Sequence, residues 1–315
     1  MVKTSEVTPL TTFLFATYIE EAVAKEKLDL PPGVVAIVTG YGKTIGDALT
    51  GDPRVGIISM TGSVATGQHI MQHVATNITK LSLELGGKAP CIVMDDARLD
   101  DAVKAIVDSR LIFGGQVCNC AERVYVHSKV YDTFLQKLVE KMKSSPIGTS
   151  GFKKEPSPPA CCGLISKAQF DKVSGMVERA KQSGAKVLCG GEPFEGDGYR
   201  YKPTVLVNVE QSSEIMQTEI FGPVLPVMKF DTFDEALQLA NDCQYGLTSS
   251  LFTENYRLIE RARTELLFGE TYINRFHFEA MQGFHAGWRK SGVGGADGKH
   301  GLSEYLSTKV MYVQS

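Results

Sequence analysis

"GVVAIVTGYGKTIGDAL", residues 33–49, runs from an unbroken apolar stretch through a glycine-punctuated turn into a helical pattern. A short continuous apolar run bounded by turn residues reads as a strand buried on both faces, the kind found in parallel sheets. RVGIISMTGS (54–63) repeats that reading, and VATGQHIMQHVAT (64–76) follows it as a helix. Strand and helix in alternation predict an α/β fold with helices on both sides of the sheet.

The alternation extends in both directions. An amphipathic helix is expected from Pro9 to about Lys25, and Pro31-Pro32-Gly33 ends the short segment after it. Downstream come KLSLELGG (80–87), the strand APCIVMDD (89–96) and a helix over LDDAVKAIVDSRLIF (99–113), with Asp95 and Asp96 as candidate caps. RVYVH (123–127) reads as a strand and residues 130–143 as a helix. The Pro-, Gly- and Ser-rich stretch 144–163 reads as an exposed loop. A helix over 167–183 leads to AKVLCGG (185–191), a hairpin region at 199–209, strand VLPVMKF (224–230), helix FDEALQLAND (233–242), strand LTSSLFT (247–253), a long helix, and strand GETYIN (269–274). The last residues, EYLSTKVMYVQS, read as an edge strand, and no internal repeat is present.

Composition narrows the function classes. The chain has 315 residues, 43% of them hydrophobic and 22% charged, with a net charge of −3. These are ordinary values for a globular protein, and they give no clustered basic footprint for nucleic acid. Seven cysteines without a repeating spacing argue against a disulfide framework and for a reducing compartment. The first residues lack the pattern of a signal peptide, and no stretch approaches the roughly 18 apolar residues of a membrane span. A cytoplasmic protein without membrane or nucleic-acid partners is the expectation.

Several stretches can carry chemistry. Gly40, Gly42 and Gly46 form a glycine-rich strand-to-helix turn of the kind that brings backbone amides to a phosphate, one residue longer than the usual fingerprint. Thr61-Gly62-Ser63 repeats the arrangement after the next strand. Glu84, in LELGGK, can act as a general base if partial burial raises its pKa, or stay a solvated turn acid. Lys88 reads as a surface lysine. Cys118 and Cys120 follow a Gly-Gly turn and, on a continuing strand, would share a face. Either is an inert small hydrophobe or a nucleophile beside backbone N–H groups. His69 and His73, at i and i+4, are half of a metal site without an evident third ligand, so a polar helix face is preferred and no metal is expected. Cys161-Cys162 reads as adventitious. Trp288 and His285 lie in a glycine-rich segment that lines a pocket or packs as a loop.

The ordered set LELGGK (83–88), GQVC (115–118), EIFGPV (219–224) and SGVGG (291–295) followed by GLSEYLSTKV resembles the NAD(P)-dependent aldehyde dehydrogenase superfamily. Within it, GQVCNCAERVYV and the stretch 268–301 look most like its bacterial lactaldehyde dehydrogenase branch, which also takes glycolaldehyde. The resemblance implies a Rossmann-like nucleotide-binding domain, lacking its N-terminal portion, over 1–83; a catalytic domain over 84–290; a return segment at 291–302; and an oligomerisation strand at 303–315. Cys118 would be the nucleophile and Glu84 the base for thioester hydrolysis. Glu219 and Phe221 would hold the nicotinamide ribose, Lys3 and Glu6 the adenosine ribose, and Ser63 and the Gly40 turn the pyrophosphate. Thr4 stands where the family usually has proline. A carboxylate at Glu6 favours NAD over NADP. Glu279 and His285 are candidates for the hydroxyl of a 2-hydroxyaldehyde.

By the same resemblance the chain opens inside the nucleotide-binding domain, so the asparagine that completes the family's oxyanion hole is expected to be missing. ACCGLIS (160–166) replaces a Gly-Pro pair. A small aldehyde substrate, NAD, and a homo-oligomer or pairing with full-length subunits are the implied partners. The alternatives are a catalytically impaired interaction subunit, or a cofactor-independent cysteine esterase.

Overall fold

The structure, a computed structural model, describes residues 1–315 except 147, 149–161, 197 and 315. The loop expected over 144–163 and the adventitious Cys161 therefore fall largely outside the described residues. The chain divides into two compact units, one formed by residues 1–58 and 65–81, the other by residues 59–64 and 82–315. No helix among the described residues is long and apolar enough to cross a membrane.

The larger unit is built on a seven-stranded sheet. Its order is Glu270–Ile273, Thr248–Phe252, Ala89–Val93, Ala121–His127, Val224–Phe230, Thr204–Val207, Lys186–Cys189. Every neighbouring pair is parallel except the last, which is antiparallel. Alternation along the strands separates two cores, because successive side chains point to opposite faces. Ile92 and Tyr125 face one core, and Cys91, Val93, Val124 and Val126 the other. On the first face sit helices Lys167–Gln182, through Val173, Met176, Val177 and Ala180, and Phe233–Asn241, through Ala236, Leu237 and Ala240. Leu99–Leu111 and Tyr131–Ser144 cover the second, the latter through Phe134, Leu138 and Met142 at a spacing of four. A helix reads as one apolar stripe at that spacing, and each such side chain contributes about 1.5–3 kcal/mol when fully buried.

The smaller unit differs from its reading. The run 33–40 forms only the short strand Ile37–Val38, parallel to Val2–Lys3, and Val34 and Val35 are exposed. The second run narrows to Ile57–Thr61, none of it buried. Helix Pro9–Glu26 is where the sequence put it, yet it has no buried residue. An apolar run specifies a strand but not what covers it, so the double-sided burial expected here is absent.

Two further expectations change. Neither Asp95 nor Asp96 caps the helix Leu99–Leu111, whose N-cap is Arg98. Asp95 pairs instead with Lys129, and Asp96 accepts from the Thr253 hydroxyl and the Glu254 amide, which holds it to the adjacent strand end. The terminal segment carries no strand. Helix Gly298–Glu304 precedes it, and residues 306–314 run on with Val310, Met311, Tyr312 and Val313 exposed, because no strand among the described residues pairs with them.

Candidate active site

The helix Leu99–Leu111 ends in a turn, Ile112–Gly115, with three consecutive residues at positive φ: Phe113 at 48°, Gly114 at 67° and Gly115 at 77°. A side chain at Gly115 would also strike the Gly222 carbonyl at 2.3 Å, so glycine is required on both counts. The turn delivers Cys118 just ahead of the strand Ala121–His127, half-exposed.

Three other loops meet it there. LELGGK crosses so close that a Cβ on Gly87 would lie 2.5 Å from the Cys118 carbonyl. The loop 219–223 enters the strand Val224–Phe230, and the Gly87 amide donates to Glu219 Oε1 at 2.9 Å. Together with Ser59–Val64 these loops enclose a cleft of about 540 Å³ lined by Thr61, Ser63, Phe113, Cys118, Glu219 and Phe221. That volume suits a small-molecule site. Ser63 follows the carboxyl end of a strand, but the LELGGK, Cys118 and Glu219 loops all feed the amino ends of parallel strands, opposite to the usual crevice of an α/β sheet.

Glu84 is buried, on a strand whose Leu83 and Glu84 pair antiparallel with Val293 and Gly292. Among the described residues neither of its oxygens accepts a side-chain hydrogen bond, and His285 Nε2 lies 3.7 Å from Glu84 Oε2. Burial pushes the Glu84 carboxyl up to about 7, with His285 opposing and Glu270 and Asp297 adding to the rise. The Cys118 side chain acts on His285, raising its pKa, and His285 Nδ1 lies 3.0 Å from Glu270 Oε1. Burial would push this imidazole down, but Cys118 and the two carboxylates overcome it and raise it to about 11. Glu84, His285 and Cys118 thus form one contiguous group.

Glu279 accepts a hydrogen bond from the Asn119 amide at 2.6 Å, which places it one residue from the thiol. Burial pushes the Glu219 carboxyl up to about 7, helped by the charge of Glu122. Lys3, Glu6 and Gly40 belong to the smaller unit. There Lys3 Nζ lies 3.6 Å from Glu6 Oε2, and Lys3 and Gly40 stand at the carboxyl ends of two paired parallel strands.

Cys118 and Cys120 do not share a face, because the strand begins only at Ala121. Cys120 points inward, where Arg110 Nη2 donates to its sulfur at 2.8 Å, and burial pushes its thiol up to about 12. Lys88 is not a surface lysine: it is buried against Glu122 Oε2 at 2.7 Å, and Arg110 holds Glu122 Oε1 at 2.7 Å. Glu122 also accepts the Ile220 and Phe221 amides, so this trio shapes the loop carrying Glu219. Trp288 is half-exposed and its strand pairs with Tyr245–Gly246. Glu270, Glu122 and Arg110 escaped the sequence reading; the available signal was a charge inside an otherwise apolar strand or helix face.

The profile of the aldehyde dehydrogenase family matches residues 1–311. The chain is 54% identical over 315 residues to a lactaldehyde dehydrogenase of Escherichia coli, covering 100% of this chain and 64% of that protein. The crystal structure of that enzyme superposes with a TM-score of 0.94, over 99% of this chain and 64% of the other. A 3,6-anhydro-alpha-L-galactose dehydrogenase of Vibrio is 43% identical, over 99% of this chain and 64% of its own length. A betaine aldehyde dehydrogenase of Staphylococcus aureus, solved in complex with NAD+, is 36% identical with a TM-score of 0.91, over 98% and 60% of the two chains. The chain therefore spans between 57% and 64% of the length of the curated relatives it matches. With a family profile matched from residue 1 to residue 311, it belongs to the aldehyde dehydrogenase family.

Proposed function

We propose that the chain carries the NAD-dependent oxidation of a small 2-hydroxyaldehyde, such as lactaldehyde or glycolaldehyde, to the acid. The observation that carries this reading is the half-exposed Cys118 thiol, on the wall of a 540 Å³ cleft with Ser63, Glu219 and Phe221, joined through His285 to a buried Glu84. Cys118 adds to the aldehyde carbon to give a thiohemiacetal, and its oxidised form is a thioester on the same sulfur. NAD, when bound, accepts the hydride. Glu84, whose carboxyl titrates near 7, takes a proton from the water that hydrolyses the thioester.

The cofactor fits the residues present. Glu219 offers a carboxylate acceptor for ribose hydroxyls on the cleft wall, and Gly86 leaves it room, since a Cβ there would lie 2.6 Å from Glu219 Oε2. Phe221 would pack against the nicotinamide ribose, and Ser63 would hold the pyrophosphate. Lys3 and Glu6 would take the adenosine ribose, and the Glu6 carboxylate repels a 2′-phosphate. Glu279, bonded to the Asn119 side chain, and His285, beside Cys118, would recognise a hydroxyl on the carbon next to the aldehyde. The 54% identity to a lactaldehyde dehydrogenase supports that substrate class. The exposed apolar side chains over 310–313 support pairing with another copy of the chain, and the cysteine usage supports a cytoplasmic location.

NADH formation with glycolaldehyde and lactaldehyde tests the reading. Cys118→Ala should abolish it, and Glu84→Gln should reduce turnover by about 10²–10⁴-fold, the range for losing a general base. Full activity in Cys118→Ala would refute the assignment.

A further inference from the structure

We infer that Asp47, His69 and His73, in the smaller unit, form a binding site for a divalent transition-metal ion of the zinc class. His69 and His73 sit one turn apart on the helix Val64–Val74 and present their rings to the same side, with centroids 4.2 Å apart. The short helix Asp47–Thr50 brings a carboxylate to them from 22 residues upstream. Asp47 Oδ1 lies 2.7 Å from His69 Nε2 and 4.0 Å from His73 Nδ1, and one ligand atom from each of the three residues falls within 4.8 Å of the others.

Two imidazole nitrogens and a carboxylate oxygen are the donor set that zinc, nickel and copper prefer over magnesium or calcium. Zinc binds such atoms at roughly 2.0–2.2 Å. Ligands of one ion therefore lie at most about twice that distance apart, and the three groups need only a small closing movement to meet it. Their side chains are partly exposed, at 29% for Asp47, 45% for His69 and 35% for His73, so they can rotate inward and leave the remaining positions to water. The charge of Lys43 opposes a metal, and its flexible stem lets it withdraw. A plain hydrogen bond explains His69 with Asp47. It does not explain a second imidazole packed on the first and turned to the same oxygen beyond hydrogen-bond reach.

The site is tested by titrating chelator-washed protein with Zn²⁺ against a chromophoric competitor, for the wild type, His73→Gln and Asp47→Asn. One equivalent should bind the wild type at least about tenfold more tightly than either variant, since even outer partners of a metal ligand are worth that much. Equal uptake by all three, or no uptake by the wild type, overturns the assignment. Zinc K-edge absorption of the wild type serves if a variant misfolds, and it separates this site from the free cysteines. A shell of nitrogen and oxygen with two imidazoles supports the assignment, and a shell containing sulfur overturns it.

Discussion

Two thiols two residues apart meet opposite surroundings. Cys118 stands half-exposed on a cleft wall, whereas Cys120 is buried beneath Arg110 with its thiol pushed up to about 12. Iodoacetamide should therefore modify Cys118 well before Cys120, and peptide mapping after limited alkylation checks the order. Glu84 is the second residue whose chemistry is set by place. Its carboxyl is raised from 4.5 to about 7, so it is protonated below that pH and becomes a base above it. Turnover limited by thioester hydrolysis should rise between about pH 6 and 8 and then level, a limb that Glu84→Gln should lack. A flat wild-type profile across that window would exclude Glu84 as the base.

Among the elements, the loops matter more than the strands they enter. Gly86, Gly87 and Gly115 are there because side chains at those positions would collide with Glu219, Cys118 and Gly222 respectively. The buried trio of Arg110, Glu122 and Lys88 ties the helix Leu99–Leu111 and the strand Ala121–His127 to the Glu219 loop. Its lysine and arginine hold the Glu122 carboxyl down to about 2 against a strong burial effect. Glu122→Gln should destabilise the fold by about 3–5 kcal/mol, because two buried cations lose their counter-charge. Denaturant unfolding measures this, and a loss below about 1 kcal/mol would show the trio to be incidental. The elements themselves were largely legible: Tyr131–Ser144 and Lys167–Gln182 follow the apolar spacing closely, and Pro9–Glu26 keeps its expected bounds without burying a face.

For the whole molecule, acid stability carries a signature of one buried histidine. His277 is buried with Ser109 Oγ 3.0 Å from its Nδ1, and desolvation with the nearby Arg110 charge lowers it from 6.5 to about 3. The folded state keeps the ring neutral while the unfolded chain protonates below about 6.5. This contribution is therefore whole above that pH and falls away as pH drops toward 3. The slope from one such proton is about 1.4 kcal/mol per pH unit, and His277→Gln should remove it from urea-unfolding free energies measured between about pH 6 and 4.

The order of strands and helices, the Gly-Gly turn and the acid beside LGGK were written in the sequence, because periodicity and glycine placement are local properties of a chain. Which of two neighbouring thiols faces the cleft was not, nor was the burial of Lys88, the coupling of Glu84 to Cys118 through His285, or the arrival of Asp47 beside His69 and His73. Each of these depends on residues tens to hundreds of positions apart meeting across the fold. Burial, and with it the charge state of every group named here, is decided only by what the finished packing sets against them.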